Sequence, residues 1–223
     1  MRIAVIGDGG HGKVVRDLIG LRPELRLTAV LDDRYRFGRM ADDVFRGPVS
    51  ACSDLAEQDP ELHFVLAIGD NRVRSDIARR LESCTANFAT VIHPAAVVSP
   101  SARIGAGSVV MARAVVQAGA AVGGHAIVNT GAIVEHDCRI GAYAHVCPGA
   151  TLTGGVTAGE GAMIGAGAVV IPGRAIGEWA VVGAGAVVTR AIPPYAVAAG
   201  VPAAVKRFAA PPADEDNGKG NAS

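Results

Sequence analysis

Aromatic side chains make up only 4% of this sequence, with a single tryptophan among 223 residues. A core built almost without rings has to be filled by Val, Ile and Ala, which points to a narrow, repetitive interior. Net charge is missing as well. The 21 basic and 21 acidic side chains cancel, so no surface here is of the kind that holds a polyanion, and nucleic acid is excluded as an expected partner. Cysteine is scarce: Cys52, Cys84, Cys138 and Cys147 form no CxxC pair and no disulfide-like spacing, which suits a reducing compartment and a cytoplasmic protein. Long apolar runs are absent too. The run Ile3 to Ile6 ahead of Gly7 is too short for a signal peptide's apolar core, and no window approaches a membrane span. What is abundant is glycine, 29 residues of it, and a hydrophobic half large enough to bury a real core.

The hydrophobic residues are not scattered. From Val98 to Val188 every sixth position is aliphatic, and fifteen of the sixteen are Val, Ile or Leu, with Ala158 the exception. Four residues after each of the first fifteen stands a small side chain in thirteen cases, Val156 and Arg174 being the others. Helices repeat near 3.6 residues and strands near 2, so an unbroken period of six rich in β-branched residues belongs to neither. It predicts a β-solenoid in which each hexad makes one flat side of a triangular coil and three hexads close a turn. Fifteen intervals of six give roughly five coils, stabilised by stacking on one another. The glycines just after the aliphatic position, such as Gly105, Gly123 and Gly141, are expected at corners of unusual φ and ψ.

Residues 1 to about 92 read differently. A strand from Ile3 to Ile6, a helical stretch near Lys13 to Leu21, a strand from Leu27 to Leu31, another from Phe64 to Ile68 and a helical pattern from Arg72 to Leu81 predict a Rossmann-like α/β domain. Gly7-Asp8-Gly9-Gly10-His11-Gly12 matches GxGxxG between strand and helix, with Asp32 twenty residues beyond Gly12. The region is too short for the two halves of a complete dinucleotide fold, so one nucleotide is its capacity. The alternative is a tight strand-to-helix turn without a ligand.

Polar side chains are rare inside the repeat, so Glu135-His136-Asp137 and His145 stand out. His136 lies two positions after the inward Val134 and should project outward. His145 is nine residues on, half a coil around, so the two histidines of one chain cannot meet, whereas two subunits side by side would bring one from each into a cleft. Gly154, eighteen residues after His136, should stack over it about 4.8 Å away, with an amide free of side-chain obstruction. Cys138 occupies a small-residue slot and reads as packing; Cys147 is the cysteine expected to be reactive, though neither has the neighbours of a covalent mechanism.

The repeat and the closing Ile192-Pro-Pro-Tyr-Ala-Val-Ala-Ala-Gly-Val-Pro-Ala resemble the hexapeptide-repeat acyltransferase superfamily. More narrowly, GDGGHGKVV, Asp32-Asp33, AIGDNRVR and the coil Val134-Glu135-His136-Asp137-Cys138-Arg139-Ile140-Gly141 are similar to bacterial nucleotide-sugar N-acetyltransferases and the sialic-acid O-acetyltransferase-like group. The resemblance implies an α/β Rossmann-like domain (1–92), then a left-handed parallel β-helix (93–208), with a disordered tail (209–223). It implies a homotrimer with acetyl-CoA as co-substrate between neighbouring helices, no metal, and a nucleotide-linked amino sugar acetylated on its 4-amino group. By the same likeness Gly9, Gly10 and His11 lie near phosphates or sugar, Asp32 and Asp33 reach base and ribose, and Gly69 lines the pocket. His136 is the general base, Asp137 raises its basicity, Gly154 offers the oxyanion amide, and His145, Ala166 and Ala184 contact acetyl-CoA. Whether Asp137 or Glu135 orients His136 stays open.

Rival readings are an O-acetyltransferase for a sialic-acid-like sugar, a zinc-dependent β-helix carbonic anhydrase using His125, His136 and His145, a non-enzymatic nucleotide-binding trimer, and an NAD dehydrogenase. The histidine spacings of eleven and nine lack a close metal-binding pair, and His125 by itself reads as a packed core residue.

Overall fold

A computed structural model describes residues 1–82 and 86–209. Cys84 and the tail from residue 210 onward, where disorder is expected, lie outside the described residues. The first third of the chain is an α/β layer structure. Its elements are β1 (Arg2–Ile6), α1 (Gly10–Gly20), β2 (Arg26–Leu31), β3 (Arg39–Ala41), β4 (Val44–Gly47), α2 (Cys52–Gln58), β5 (Leu62–Leu66), α3 (Asn71–Glu82) and β6 (Asn87–Phe88). They form one sheet in the order β3-β4-β2-β1-β5-β6, parallel except where β3 meets β4. β1 lies between β2 and β5, and Ile3, Ala4, Val5 and Ile6 are all fully buried, as a parallel strand covered on both faces must be. Val15, Leu18 and Ile19 of α1 cover the Ile3 and Val5 side; α2 and α3 cover the side of Ala4 and Ile6.

The β3–β4 hairpin and α2 have no counterpart in the sequence reading. The hairpin turns at Asp42 and Asp43, both with positive φ, a demand more often met by a glycine-containing pair, so the usual turn signal is absent. The glycines of the first turn divide by function. A methyl group on Gly12 would lie 2.1 Å from the Gly7 carbonyl, and one on Gly7 would meet the Ala67 carbonyl at 2.8 Å, so both are needed for α1 to seat against β1. Gly9, Gly10 and Gly69 have nothing within 4 Å of where a Cβ would be.

From Val91 onward the chain winds as a left-handed parallel β-helix with three flat faces of two-residue strands. Its register is eighteen residues from coil to coil, Val110 on Val128 and Val128 on Val146, for example, until the last coil, where Val182 pairs with Ala198 and Ile176 with Ile192. The second residue of each pair points inward, and together with the small corner residues these fill one continuous core. The first residue points outward and differs by face. On the first face Val109, Ile127 and His145 are buried. On the second face Val97, Val115, Ile133, Thr151, Val169 and Val187 line up. On the third stand Arg103, Ala121, Arg139, Thr157 and Ala175.

One expectation about the corners is corrected. Positive φ falls three residues after the aliphatic position, at Gly107, Gly119, Gly131 and their successors, and also at Arg113, His125, Asp137, Tyr143 and Trp179. Gly105, Gly123 and Gly141 are needed for a different reason: a Cβ on any of them would meet the backbone of the next coil at 2.5 to 2.6 Å.

Helix α3 clamps the two parts together. The Asn71 amide donates to the carbonyls of Gly161 and Ala162, Arg72 lies 5.4 Å from the Trp179 ring, and Arg79 pairs with Glu160. Arg74, 1% exposed, donates to the carbonyls of Ile68, His125 and Tyr143 and to Asn71 Oδ1 at 2.7 to 2.8 Å. Among the described residues no helix is long and apolar enough to cross a membrane.

Candidate active site

The corner between the second and third faces carries His136, with a side chain 63% exposed. Its Nδ1 lies 2.9 Å from Asp137 Oδ2, so of the two flanking acids Asp137 is the one hydrogen-bonded to the ring. Asp137 sits at φ +60°, a left-handed conformation that aspartate tolerates better than most residues. Its carboxylate occupies space that the coil below leaves open: a methyl on Gly119 would lie 2.7 Å from Asp137 Oδ1. With Nδ1–H donating to the carboxylate, the imidazole keeps its lone pair on Nε2. Nε2 hangs over Gly154, whose added Cβ would lie 2.4 Å from it. The Gly154 carbonyl accepts from the Gly173 amide, while the Gly154 amide has no hydrogen-bond acceptor among the described residues. Exposed imidazole, hydrogen-bonded carboxylate and unused donor therefore stand in one column. Gly119 is the member that the sequence reading missed, and its only signal is that it lies eighteen residues before Asp137.

A second cluster lies where the α/β sheet's carboxyl edge meets the first face of the β-helix. His145, 7% exposed, places Nδ1 3.3 Å from the Gly69 carbonyl and Nε2 3.0 Å from Asn129 Nδ2. An amide nitrogen donates, so Nε2 accepts and Nδ1 carries the proton. The His11 ring is 6.4 Å from the His145 ring, and its buried Nε2 has no partner. Burial, followed by the nearby Arg74 charge, pulls both histidines down to about 4. Gly9 and Gly10 precede His11, Gly69 bonds His145, and none of the three has an internal need to be glycine, which leaves open backbone for close approach. Asn129 was not singled out from sequence, because nothing local marks it.

The acids of the first domain are partly committed to structure. Asp32 Oδ2 accepts from the Asp8 amide at 2.7 Å and Oδ1 from the Arg34 amide and guanidinium at 3.0 Å. Burial opposes ionisation of Asp32, but these bonds outweigh it and hold the carboxyl below its usual range. Asp33 Oδ1 accepts from the Val49 amide. Asp8 is engaged by Arg16 and Tyr35.

His136 and His145 of one chain stand on different sides of the coil, as their spacing requires. Ala166 and Ala184 are exposed, one coil apart, at the edge between the first and second faces, where Asn129 also stands. His125 is packed parallel to Tyr143, 5.4 Å between ring centres, and edge-on to Phe88 at 4.5 Å, so it belongs to the interdomain seam and cannot join a surface metal triad. The expectation of a reactive Cys147 is corrected: it is 5% exposed and burial pushes its thiol up to about 11, far from a thiolate.

Known proteins share this arrangement. Residues 2–81 match the PglD N-terminal domain, and residues 156–190 match the bacterial transferase hexapeptide (six repeats). The UDP-N-acetylbacillosamine N-acetyltransferase of Bacillus subtilis (strain 168) is 48% identical over 110 residues, 49% of this chain, and the match spans about half of that relative's length, 51%. PerB from Caulobacter crescentus, solved with CoA and GDP-perosamine, is 42% identical over 93% of this chain and 98% of its own, with a TM-score of 0.85. The acetyltransferase domain of PglB from Neisseria gonorrhoeae FA1090, solved with acetyl coenzyme A, is 40% identical over 92% of this chain and 98% of its own, with a TM-score of 0.84. A PglD-type α/β domain, a hexapeptide β-helix and likeness to these enzymes over nearly the whole chain together establish that the chain belongs to the bacterial nucleotide-sugar N-acetyltransferase family.

Proposed function

We propose that the chain transfers an acetyl group from acetyl-CoA to the 4-amino group of a nucleotide-linked amino-dideoxy sugar, with His136 as general base. The observation that carries this is the His136 column: Nδ1 is held by Asp137 and Nε2 is poised above an unengaged Gly154 amide. The amine attacks the thioester carbon once its proton has a base to go to, and Nε2 accepts that proton. Such a base contributes about 10² to 10⁴ in rate. Negative charge gathers on the former carbonyl oxygen, which the Gly154 N–H stabilises, a donor worth about 10² to 10³. The tetrahedral adduct then collapses, the C–S bond breaks, and the CoA thiolate takes up the proton that His136 holds. No covalent enzyme intermediate is needed, in keeping with the buried cysteines.

The second face supports a homotrimer. Its outward row is aliphatic apart from Thr151, while the first face is partly covered by the α/β domain and the third carries arginines. Packing three second faces together sets the edge bearing His136 of one copy against the edge bearing Asn129, Ala166 and Ala184 of the next. Acetyl-CoA would run along that shared cleft, past Ala166 and Ala184 with His145 near its foot. The sugar would lie against Gly9, Gly10, His11 and Gly69, with Asp32 and Asp33 toward the nucleoside. The relatives solved with CoA, acetyl coenzyme A and GDP-perosamine support both substrates. Three buried free cysteines suit a reducing, cytoplasmic setting.

The test is thiol release from acetyl-CoA in the presence of UDP-, dTDP- and GDP-linked 4-amino-4,6-dideoxy sugars. His136→Asn is expected to lower kcat by about 10² to 10⁴. A variant as fast as the parent chain would rule out the mechanism.

A further inference from the structure

Beside Asp33 the α/β domain holds a cavity of about 530 Å³, within the range of small-ligand sites. It opens between the start of the chain after β4 and the outer side of α3. Val49, Val73 and Ile77 give it apolar walls, and Asp33, Asp76 and Arg80 also line it. Apolar walls with a few polar groups among them suit a small heterocycle. Asp33, at the carboxyl end of β2, ties the cavity to the place where an α/β sheet meets a nucleotide.

We infer that this cavity holds the base of the nucleotide sugar and that Asp76 and Arg80 select guanine. The inference rests on the nucleotide-sugar reading above and adds the identity of the base. Asp76 and Arg80 are four residues apart on α3, one helical turn, so their head groups emerge side by side. An ionised carboxylate only accepts hydrogen bonds and a guanidinium only donates them. Together they offer two acceptors followed by two donors. Guanine presents the complement along one continuous edge: the 2-amino group and N1–H donate, then O6 and N7 accept, and arginine pairs with O6 and N7 in this way elsewhere. Uracil and thymine instead present a carbonyl on each side of N3–H. Against Asp76 they make one bond at the cost of setting a carbonyl oxygen beside a carboxylate, which is a repulsive form of selection. Cytosine has its single amino donor beside an acceptor ring nitrogen and fits no better.

The experiment is calorimetric titration of the full chain with GDP, UDP, dTDP and CDP, repeated with Asp76→Asn. Asp76 is exposed on α3, so this variant should retain the fold. The expected result is GDP binding about 10 to 100 times tighter than UDP or dTDP, the value of one or two hydrogen bonds to a charged group. Asp76→Asn should remove most of that preference. UDP or dTDP binding as tightly as GDP overturns the inference and leaves the nucleotide-sugar reading intact, as does a preference that Asp76→Asn does not change. Binding of none of the four sinks the nucleotide-sugar reading and this inference with it.

Discussion

A methyl group at position 154 has nowhere to go while the His136 ring stays where it is, because the two would be 2.4 Å apart. Gly154 is not among the residues with positive φ, whereas its neighbour Gly155 is, at +69°. Alanine at 154 therefore strains no backbone angle and acts on the imidazole alone. Gly154→Ala should leave the melting temperature near that of the parent chain and lower kcat/KM for thiol release by about 10² or more, since the imidazole is pushed from its place above the residue 154 amide. Gly155→Ala should behave in reverse sense, with lost stability dominating, and the contrast between the two melts and rates checks the assignment. Position 154 was legible from sequence because the coil length is fixed by the hexad, and eighteen residues is a distance as well as a count. That Asp137 is the acid bonded to the ring was only half legible. Glu135 flanks the histidine equally in sequence, and the choice is made by the corner, where φ +60° at residue 137 turns that carboxylate toward Nδ1.

The seam built by α3 was not legible at all, because its hydrogen bonds across to the β-helix join residues more than fifty apart in sequence. AIGDNRVR reads locally as the start of an amphipathic helix, and nothing in it says that Arg74 will be sunk among carbonyls of a solenoid. Burial lowers Arg74 to about 10, still well above neutrality, so the seam holds a permanent cation set among carbonyls. Around it His11, His125 and His145 are each depressed to about 4, first by burial and then by the Arg74 charge. A depressed histidine binds its proton more readily in the unfolded chain, where the value is near 6.5, so the folded state loses stability as pH falls from about 6.5 toward 4. For His11 and His145 this is on the order of 2 to 3 kcal/mol each by the lower end of that window. The lowered carboxyls of Asp8 and Asp32 act below it, beginning near pH 4, so the two effects separate. Urea unfolding at pH 7 and pH 5 should show a clearly lower midpoint at pH 5, and His145→Gln should shrink the difference. Equal midpoints for the parent chain at the two pH values would mean that these rings are not held neutral.

For the whole molecule, the three faces of the β-helix have three different outer rows, and the fold explains only two of them. The first row is covered in part by the α/β domain; the third, with Arg103 and Arg139, is a solvated surface. The second presents Val97, Val115, Ile133, Val169 and Val187, with Val97 63% exposed, and a single copy of the chain leaves this aliphatic row facing water. Contiguous apolar surface of this kind marks an interface, and the proposed threefold arrangement would cover the row on every copy and place His136 of one subunit at the cleft of the next. Because the inward core residues are unaffected by what stands outside, Ile133→Glu is expected to fold. It forces a carboxylate into each of three contacts, and burying an unpaired charge costs several kcal/mol apiece. The expected sedimentation is that of a trimer for the parent chain and of a monomer for this variant. Thiol release should fall by about 10² or more, the value of a correctly placed base, because the cleft no longer assembles. Nucleoside diphosphate affinity should not change, since the cavity beside Asp33 lies within one chain. A monomeric Ile133→Glu that kept full activity would show that one copy holds the complete site, and the histidine column would then have to find acetyl-CoA on its own surface.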